Sequence, residues 1–213
     1  MKILITTHHL KNRAGSELFT FDLVMEFKKR GHDVFVFSNI LGKVSEEIER
    51  SGGIPVTNNL SDFVNENIDI IHAQHNTTAM MARSVFPNTP MVFMSHGILP
   101  DLEQPPTENL NILNIFKYLV VSNEAKDHLT KKYGISKDQI KIVRSFIDTN
   151  KFFPKKEVNL FPKKLLVVSN HYRKNTKEII ESACKELGIE VTHVGLPNNS
   201  VENVEDFIND SDI

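Results

Sequence analysis

The chain has 213 residues, with 25 Lys and Arg against 27 Asp and Glu, a formal charge of −2. That balance excludes a general nucleic-acid binder, which carries an excess of base. Hydrophobic residues at 40% and charged residues at 24% separate the chain from disordered sequences. No run approaches the roughly 18 apolar residues of a spanning helix, and the opening MKILITTHHLKN is too short in apolar residues for a signal peptide. The lone Cys184 excludes an internal disulfide framework and suits a reducing compartment, so a cytoplasmic location is expected. The length allows one or two domains.

Six short runs, apolar on both faces, predict strands in the first 150 residues: Lys2–Thr7, Asp33–Ser38, Ile68–Ala73, Pro90–Ser95, Tyr118–Ser122 and Ile140–Arg144. Strands buried on both faces belong to parallel sheets, since an antiparallel sheet with a wet face would alternate. Helices lie between them. Ser16–Lys29 gathers Leu18, Phe21, Leu23, Val24 and Phe27 largely on one side, ends in the basic turn Lys28-Lys29-Arg30, and stops at Gly31. Asn123–Tyr133 closes similarly at Gly134. This order predicts an α/β, Rossmann-like, doubly wound parallel sheet over residues 1–150.

Residues 151–164 carry two prolines and little helical period and read as a linker. The strand–helix rhythm then restarts over 165–213, with strands at Leu165–Ser169 and Glu190–Val194, a helix over Thr176–Leu187, and the start of a further strand at Asp212-Ile213. This second Rossmann-like domain is too short to close on itself, so a complementary segment is expected to complete it. Charge is uneven here: eight basic residues and one acid from Lys151 to Lys177, then nine acids and only Lys185 from Glu178 onward. A basic stretch beside a strand end suits a diphosphate, and a solvated linker is the bland alternative.

Ligands of doubly wound sheets bind outside the carboxyl ends of the strands. There the sequence puts His8 and His9, then His72 and His75, then His96-Gly97. Gly15 leads directly into the first helix, where backbone amides and the positive helix end favour an anion. The loop is neither GxGxxG nor a P-loop, so a dinucleotide fingerprint is not supported. The histidines suggest a divalent metal, but no carboxylate stands at ligand-like spacing beside them, and no metal is expected. Arg173 and Lys174 follow the strand at Leu165–Ser169 on the same kind of rim.

Six segments in register give the chain a resemblance to the family 4 glycosyltransferases, whose GT-B fold has two Rossmann-like domains. They are AGSE (Ala14–Glu17) before a helix ending RGHDVFVFS (Arg30–Ser38), IDIIHAQH (Ile68–His75), PMVFMSHG (Pro90–Gly97), YLVVSNEAKDHL (Tyr118–Leu129), KIVRSFIDTNKFFP (Lys141–Pro154) and LLVVSNHYRKNTKEIIESACKE (Leu165–Glu186). The resemblance implies an acceptor-side domain over 1–150 and the beginning of a nucleotide-sugar donor domain over 165–213. It further implies that His96 and Lys174 are catalytic, Lys174 by neutralising charge on the departing phosphate. Gly15 and Arg173 are implied at the donor, and His75 and Glu17 at the acceptor or sugar.

Three departures from the family pattern stand out. Asn170 replaces the usual Arg after the first donor-domain strand, Ser145-Phe146 replaces Asn-Gly before the hinge, and the family's paired-glutamate motif is absent. The implied activity is transfer of a sugar from a nucleotide donor to a glycan, lipid-linked or other hydroxyl acceptor, with retention, without a metal cofactor and without nucleic acid. The implied alternative is a partner-dependent acceptor-binding half of a split transferase, inactive alone. Peripheral contact at the inner membrane face is a further expectation, drawn on Lys28, Lys29 and Arg30. A histidine-based metal hydrolase and a sugar-nucleotide epimerase are the readings from other classes.

Overall fold

The computed structural model describes residues 1–98, 101–106, 113–157, 159–169, 174–195, 201 and 203–212, with Lys174 and Asn175 described by backbone alone. The chain forms two units, Met1–Ser145 and Phe146–Ile213, so the division falls ahead of the expected boundary near 150.

The first unit runs β1 (Lys2–His9), α1 (Gly15–Lys29), β2 (Asp33–Ile40), α2 (Lys43–Gly52), β3 (Val56–Thr57), β4 (Ile70–Ala73), α3 (Asn76–Val85), β5 (Met91–Ser95), β6 (Ile115–Val120), α4 (Asn123–Tyr133) and β7 (Ile140–Ile142). The strands form one sheet in the order β3-β2-β1-β4-β5-β6-β7, every neighbouring pair parallel. This is the doubly wound α/β sheet that the apolar runs predict.

The alternation of side chains along β1 explains the two layers of helix. Ile3 and Ile5 join Val24, Val36, Val44 and Ile48 under α1 and α2. Leu4 joins Phe37, Ile71, Ala79, Ala82 and Leu129 under α3 and α4 on the opposite face. Each large side chain removed from water, such as Leu4, Ile5 or Phe37, contributes about 1.5–3 kcal/mol.

Local chemistry sets the helix ends. Ser122 caps α4 by accepting the Ala125 N–H at 3.1 Å, and Gly134, at φ 67°, closes it by donating to the Thr130 carbonyl. The start of α2 is held from outside the helix. Lys43 N–H donates to the Lys11 carbonyl and Val44 N–H to that of Leu10, each at 3.1 Å. Gly42 makes this approach feasible, because a Cβ there would lie 2.9 Å from Lys11 Cα.

Several expected elements are shifted. The strand expected from Ile68 begins at Ile70. The strand expected from Tyr118 begins at Ile115, behind a bulge: Met91 pairs with Ile115 and Val92 with Lys117, which turns Phe116 outward at 72% exposure.

The second unit contains β8 (Lys164–Val168), α5 (Lys174–Leu187), β9 (Glu190–Val194) and α6 (Val204–Asp210), with β8 and β9 parallel. Residues 151–164, expected as a solvated linker, are part of this unit. Lys155 Nζ lies 2.8 Å from Asp206, Lys164 Nζ 2.9 Å from Asp210, and Lys151 Nζ 3.4 Å from Glu205. The basic run is therefore matched by the acids of α6. Asp212 lies beside β8 rather than in a strand of its own, accepting the Lys163 and Lys164 N–H groups. Ile213 lies outside the described residues.

Candidate functional site

Adjacent strands β1 and β4 feed α1 and α3 onto opposite faces of the sheet, so the winding reverses between them. A crevice opens at such a switch point, outside the carboxyl ends of the strands. The residues there are His8 and His9 of β1, Gln74 and His75 after β4, and His96 after β5.

His75 is buried and faces inward. Its Nδ1 accepts the His8 backbone N–H at 3.0 Å and sits 3.2 Å from Thr7 Oγ1. The neutral ring therefore carries its proton on Nε2. Burial, followed by the neighbouring His96, His9 and His8, holds His75 down to about 3. His75 thus fastens the end of β1 to the end of β4. The rings of His8, His9 and His75 stand 5.7–6.3 Å apart, centre to centre. Among the described residues no group of three or more His, Cys, Asp or Glu side chains is arranged to hold a metal ion.

His9 turns to the first turn of α1, where its Nε2 lies 3.2 Å from Glu17 Oε1. The Glu17 hydrogen bond raises His9 above its ordinary value against the effect of burial, with the charges of Glu17 and Glu103 adding to it. Burial alone would raise Glu17, which is 1% exposed; hydrogen bonds from His9, its own backbone and Ser16 outweigh this and leave it lowered.

His96 is tied to the same helix. Its Nε2 lies 2.9 Å from Gln74 Oε1, and Gln74 Nε2 donates to Thr20 Oγ1 at 2.9 Å. Thr20 in turn donates to the Ser16 carbonyl at 2.8 Å. Phe19 packs edge-on against the His96 ring, 4.6 Å between centroids. Burial brings His96 down to about 4, so it is neutral at pH 7. Gly15, the first residue of α1, is exposed; a Cβ there would meet nothing within 4 Å, and the preceding Ala14 supplies no side-chain cap. The first turn of α1 thus presents backbone amides beside open space, the arrangement that favours an anion.

The structure brings Gly15, Glu17, His75 and His96 to one rim. Lys174 is the first residue of α5, in the second unit, and Arg173 and Asn170 lie outside the described residues. His72, weighed as a metal ligand, lies within β4, 7% exposed, its Nδ1 without a hydrogen-bond partner among the described residues; burial, then His96, lowers it to about 4. Sequence reasoning missed Gln74, Thr20 and Gly42. Gln74 had a signal, a polar residue between two histidines at the end of an apolar strand. Thr20 and Gly42 had none.

A parallel sheet with a polar rim at its switch point, followed by a second parallel βαβ segment, defines a Rossmann-like architecture of GT-B type. Residues 13–151 match Glycosyltransferase Family 4, which is more than half of the chain, and the chain belongs to that family. No curated protein matches it by sequence. Among solved structures it is similar to a glycosyltransferase from Rickettsia africae ESF-5, at 17% identity and TM-score 0.72, covering 99% of this chain and 71% of that one. It is also similar to Anabaena Alr3699/HepE in complex with UDP and glucose, at 16% identity and TM-score 0.68, covering 99% of this chain and 64% of that one. A third is the sucrose-phosphate synthase of Thermosynechococcus elongatus, at 10% identity and TM-score 0.62, covering 99% of this chain and 73% of that one. The chain spans less than two thirds of the length of the Anabaena protein.

Proposed function

We propose that this chain transfers a sugar from a nucleotide-sugar donor to a hydroxyl of a glycan or lipid-linked acceptor, with retention of configuration. The observation that carries this reading is the neutral His96, held at the switch point beside the open first turn of α1. A neutral imidazole suits sugar hydroxyls, and the exposed amides at Gly15 suit a diphosphate. Family membership and the UDP and glucose held by the Anabaena protein support a nucleotide-sugar donor. Lys174 and its sequence neighbour Arg173 are assigned to the departing diphosphate, whose growing charge an ammonium would offset. His75 and Glu17 support the acceptor or sugar pocket by fixing its walls. No metal is required in this reading, and polysaccharide biosynthesis in the cytoplasm is the setting proposed. Among the described residues no helix is long and apolar enough to cross a membrane. A peripheral contact with the inner membrane face, through the exposed Lys28, Lys29 and Arg30, is part of the proposal.

The experiment is a panel of UDP-, GDP- and ADP-sugars with glycan and lipid-linked acceptors, followed by proton NMR of the anomeric linkage formed. A product with the donor's anomeric configuration supports the reading. An inverted product removes retention, and nucleotide-sugar turnover without an acceptor makes the chain an epimerase or hydrolase.

A second reading is a partner-dependent acceptor-binding half. It is favoured by the two-stranded sheet of the second unit, around which Leu160, Phe161, Val168 and Leu187 are exposed. It predicts no transfer by the purified chain, and transfer once a complementary donor domain is supplied.

A further inference from the structure

The hydrogen-bond chain under His96 has a fixed direction. Thr20 Oγ1 has a single proton and two acceptors within reach, the Ser16 carbonyl at 2.8 Å and Gln74 Oε1 at 3.2 Å; the shorter contact, to a carbonyl that has no proton to give, takes it. Toward Gln74 the threonine oxygen is then an acceptor, and the amide atom facing it is the nitrogen, at 2.9 Å. Gln74 is 0% exposed, so its amide has no water to turn toward. Its oxygen is left against His96 Nε2, at 2.9 Å. An acceptor at that distance requires a proton on Nε2, and in the neutral ring the Nδ1 lone pair is then left without a donor among the described residues. The edge contact with Phe19, at 77° between planes, fixes the plane in which that lone pair points.

We propose that Gln74 is a positioning residue: it sets the proton of His96 on Nε2, so that Nδ1 accepts a hydrogen bond from a substrate hydroxyl and rejects a phosphate oxygen. This rests on the transferase reading and deepens it by separating two roles. His96 selects the hydroxyl-bearing part of the ligand, while the diphosphate, which has no proton to donate, is left to the helix end at Gly15. An uncharged amide serves this purpose where a carboxylate would not. Aspartate or glutamate at position 74 would stabilise the imidazolium, and a protonated Nδ1 can only donate.

The test is long-range proton–nitrogen NMR of the full chain labelled on histidine nitrogen, with the His96 signals assigned by their loss in His96→Gln. The wild type is expected to show His96 as the neutral Nε2–H tautomer throughout pH 6–8. In Gln74→Glu the ring is expected to become imidazolium at pH 6 and to titrate at or above its ordinary value. In Gln74→Met the tautomer preference is expected to weaken, with Nδ1–H signal appearing. His96 spectra unchanged in both variants would overturn the proposal. In the transfer assay, Gln74→Glu is expected to lose about tenfold or more in rate at pH 6 and to recover toward the wild type at pH 9. A loss equal at both pH values marks a merely structural role and also overturns it. A wild type without any transfer activity removes the functional reading, and the spectra then decide the role of Gln74 by themselves.

Discussion

His9 Nε2 lies 3.2 Å from the Glu17 carboxylate, joining the end of β1 to the first turn of α1. The groups facing this pair are His8 and Glu103. His9 is raised above 6.5, so its contribution is complete below that pH and is lost as pH rises through the folded value. Glu17 is lowered below 4.5, so its contribution is complete above that pH and is lost as pH falls through its folded value. The pair therefore stabilises the fold most between about pH 4.5 and 6.5. Glu17→Gln is expected to cost about 1 kcal/mol at pH 6 and less at pH 8, measured by urea unfolding at the two pH values.

The neutral buried histidines act in the opposite sense. His72 is lowered to about 4 in the fold from 6.5, so below pH 6.5 the unfolded chain binds the extra proton and stability falls with acidification. Between pH 7 and pH 5 His72 alone accounts for about 2 kcal/mol of that fall. His72→Leu also removes an Nδ1 that has no hydrogen-bond partner among the described residues. It is expected to leave stability at pH 7 nearly unchanged and to flatten the loss at pH 5. Equal acid sensitivity in the two proteins would show that His72 is not a neutral core residue.

Two glycines at the starts of α1 and α2 separate packing from binding. Gly42→Ala forces a Cβ to 2.9 Å from Lys11 Cα and 3.0 Å from its carbonyl oxygen, both backbone atoms that cannot swing away. It is expected to destabilise by about 1–3 kcal/mol, read as a drop in the urea midpoint. Gly15→Ala meets nothing within 4 Å. Its unfolding midpoint is expected to match the wild type within about 0.5 kcal/mol, while nucleotide-sugar affinity falls. Wild-type affinity in Gly15→Ala would remove the first turn of α1 from the donor site.

Arg83 of α3 is 6% exposed; its Nε donates to the Leu113 carbonyl at 2.9 Å, and its Nη1 shares two protons among the carbonyls of Phe86, Pro87 and Thr89, at 2.8–3.1 Å. It closes the end of its own helix and ties it to the approach to β6. Arg83→Met leaves those carbonyls without that donor and is expected to cost about 3 kcal/mol or more in thermal or urea unfolding. Arg83→Lys, with a point charge in place of a fork, is expected to recover only part of the loss.

The sheet was legible in the sequence because its strands are buried on both faces, so runs such as KILITT and DVFVFS betray them without alternation. Pairwise relationships were not. The start of α2, KVSEEIERSG, is mostly polar, and its amides are held by Leu10 and Lys11, far along the chain. The bulge at Phe116 hid the first half of β6, and β3 is two residues long, too short for any period. The histidines of the rim were visible as residue types at strand ends. Gln74 meets His96 only because β4 lies beside β5, and Thr20 because α1 packs on β1, the strand on the other side of β4. The basic stretch after Lys151 was visible, but its acidic partners in α6 lie about fifty residues downstream.

The most direct measurement is sugar transfer by the native protein, isolated from its source, compared with its His96→Ala variant at matched thermal stability. The account predicts transfer from a nucleotide sugar in the native protein and a loss of about a hundredfold or more in the variant, the scale of a lost substrate-orienting group. Equal turnover by the two proteins would contradict it and take His96 out of the site.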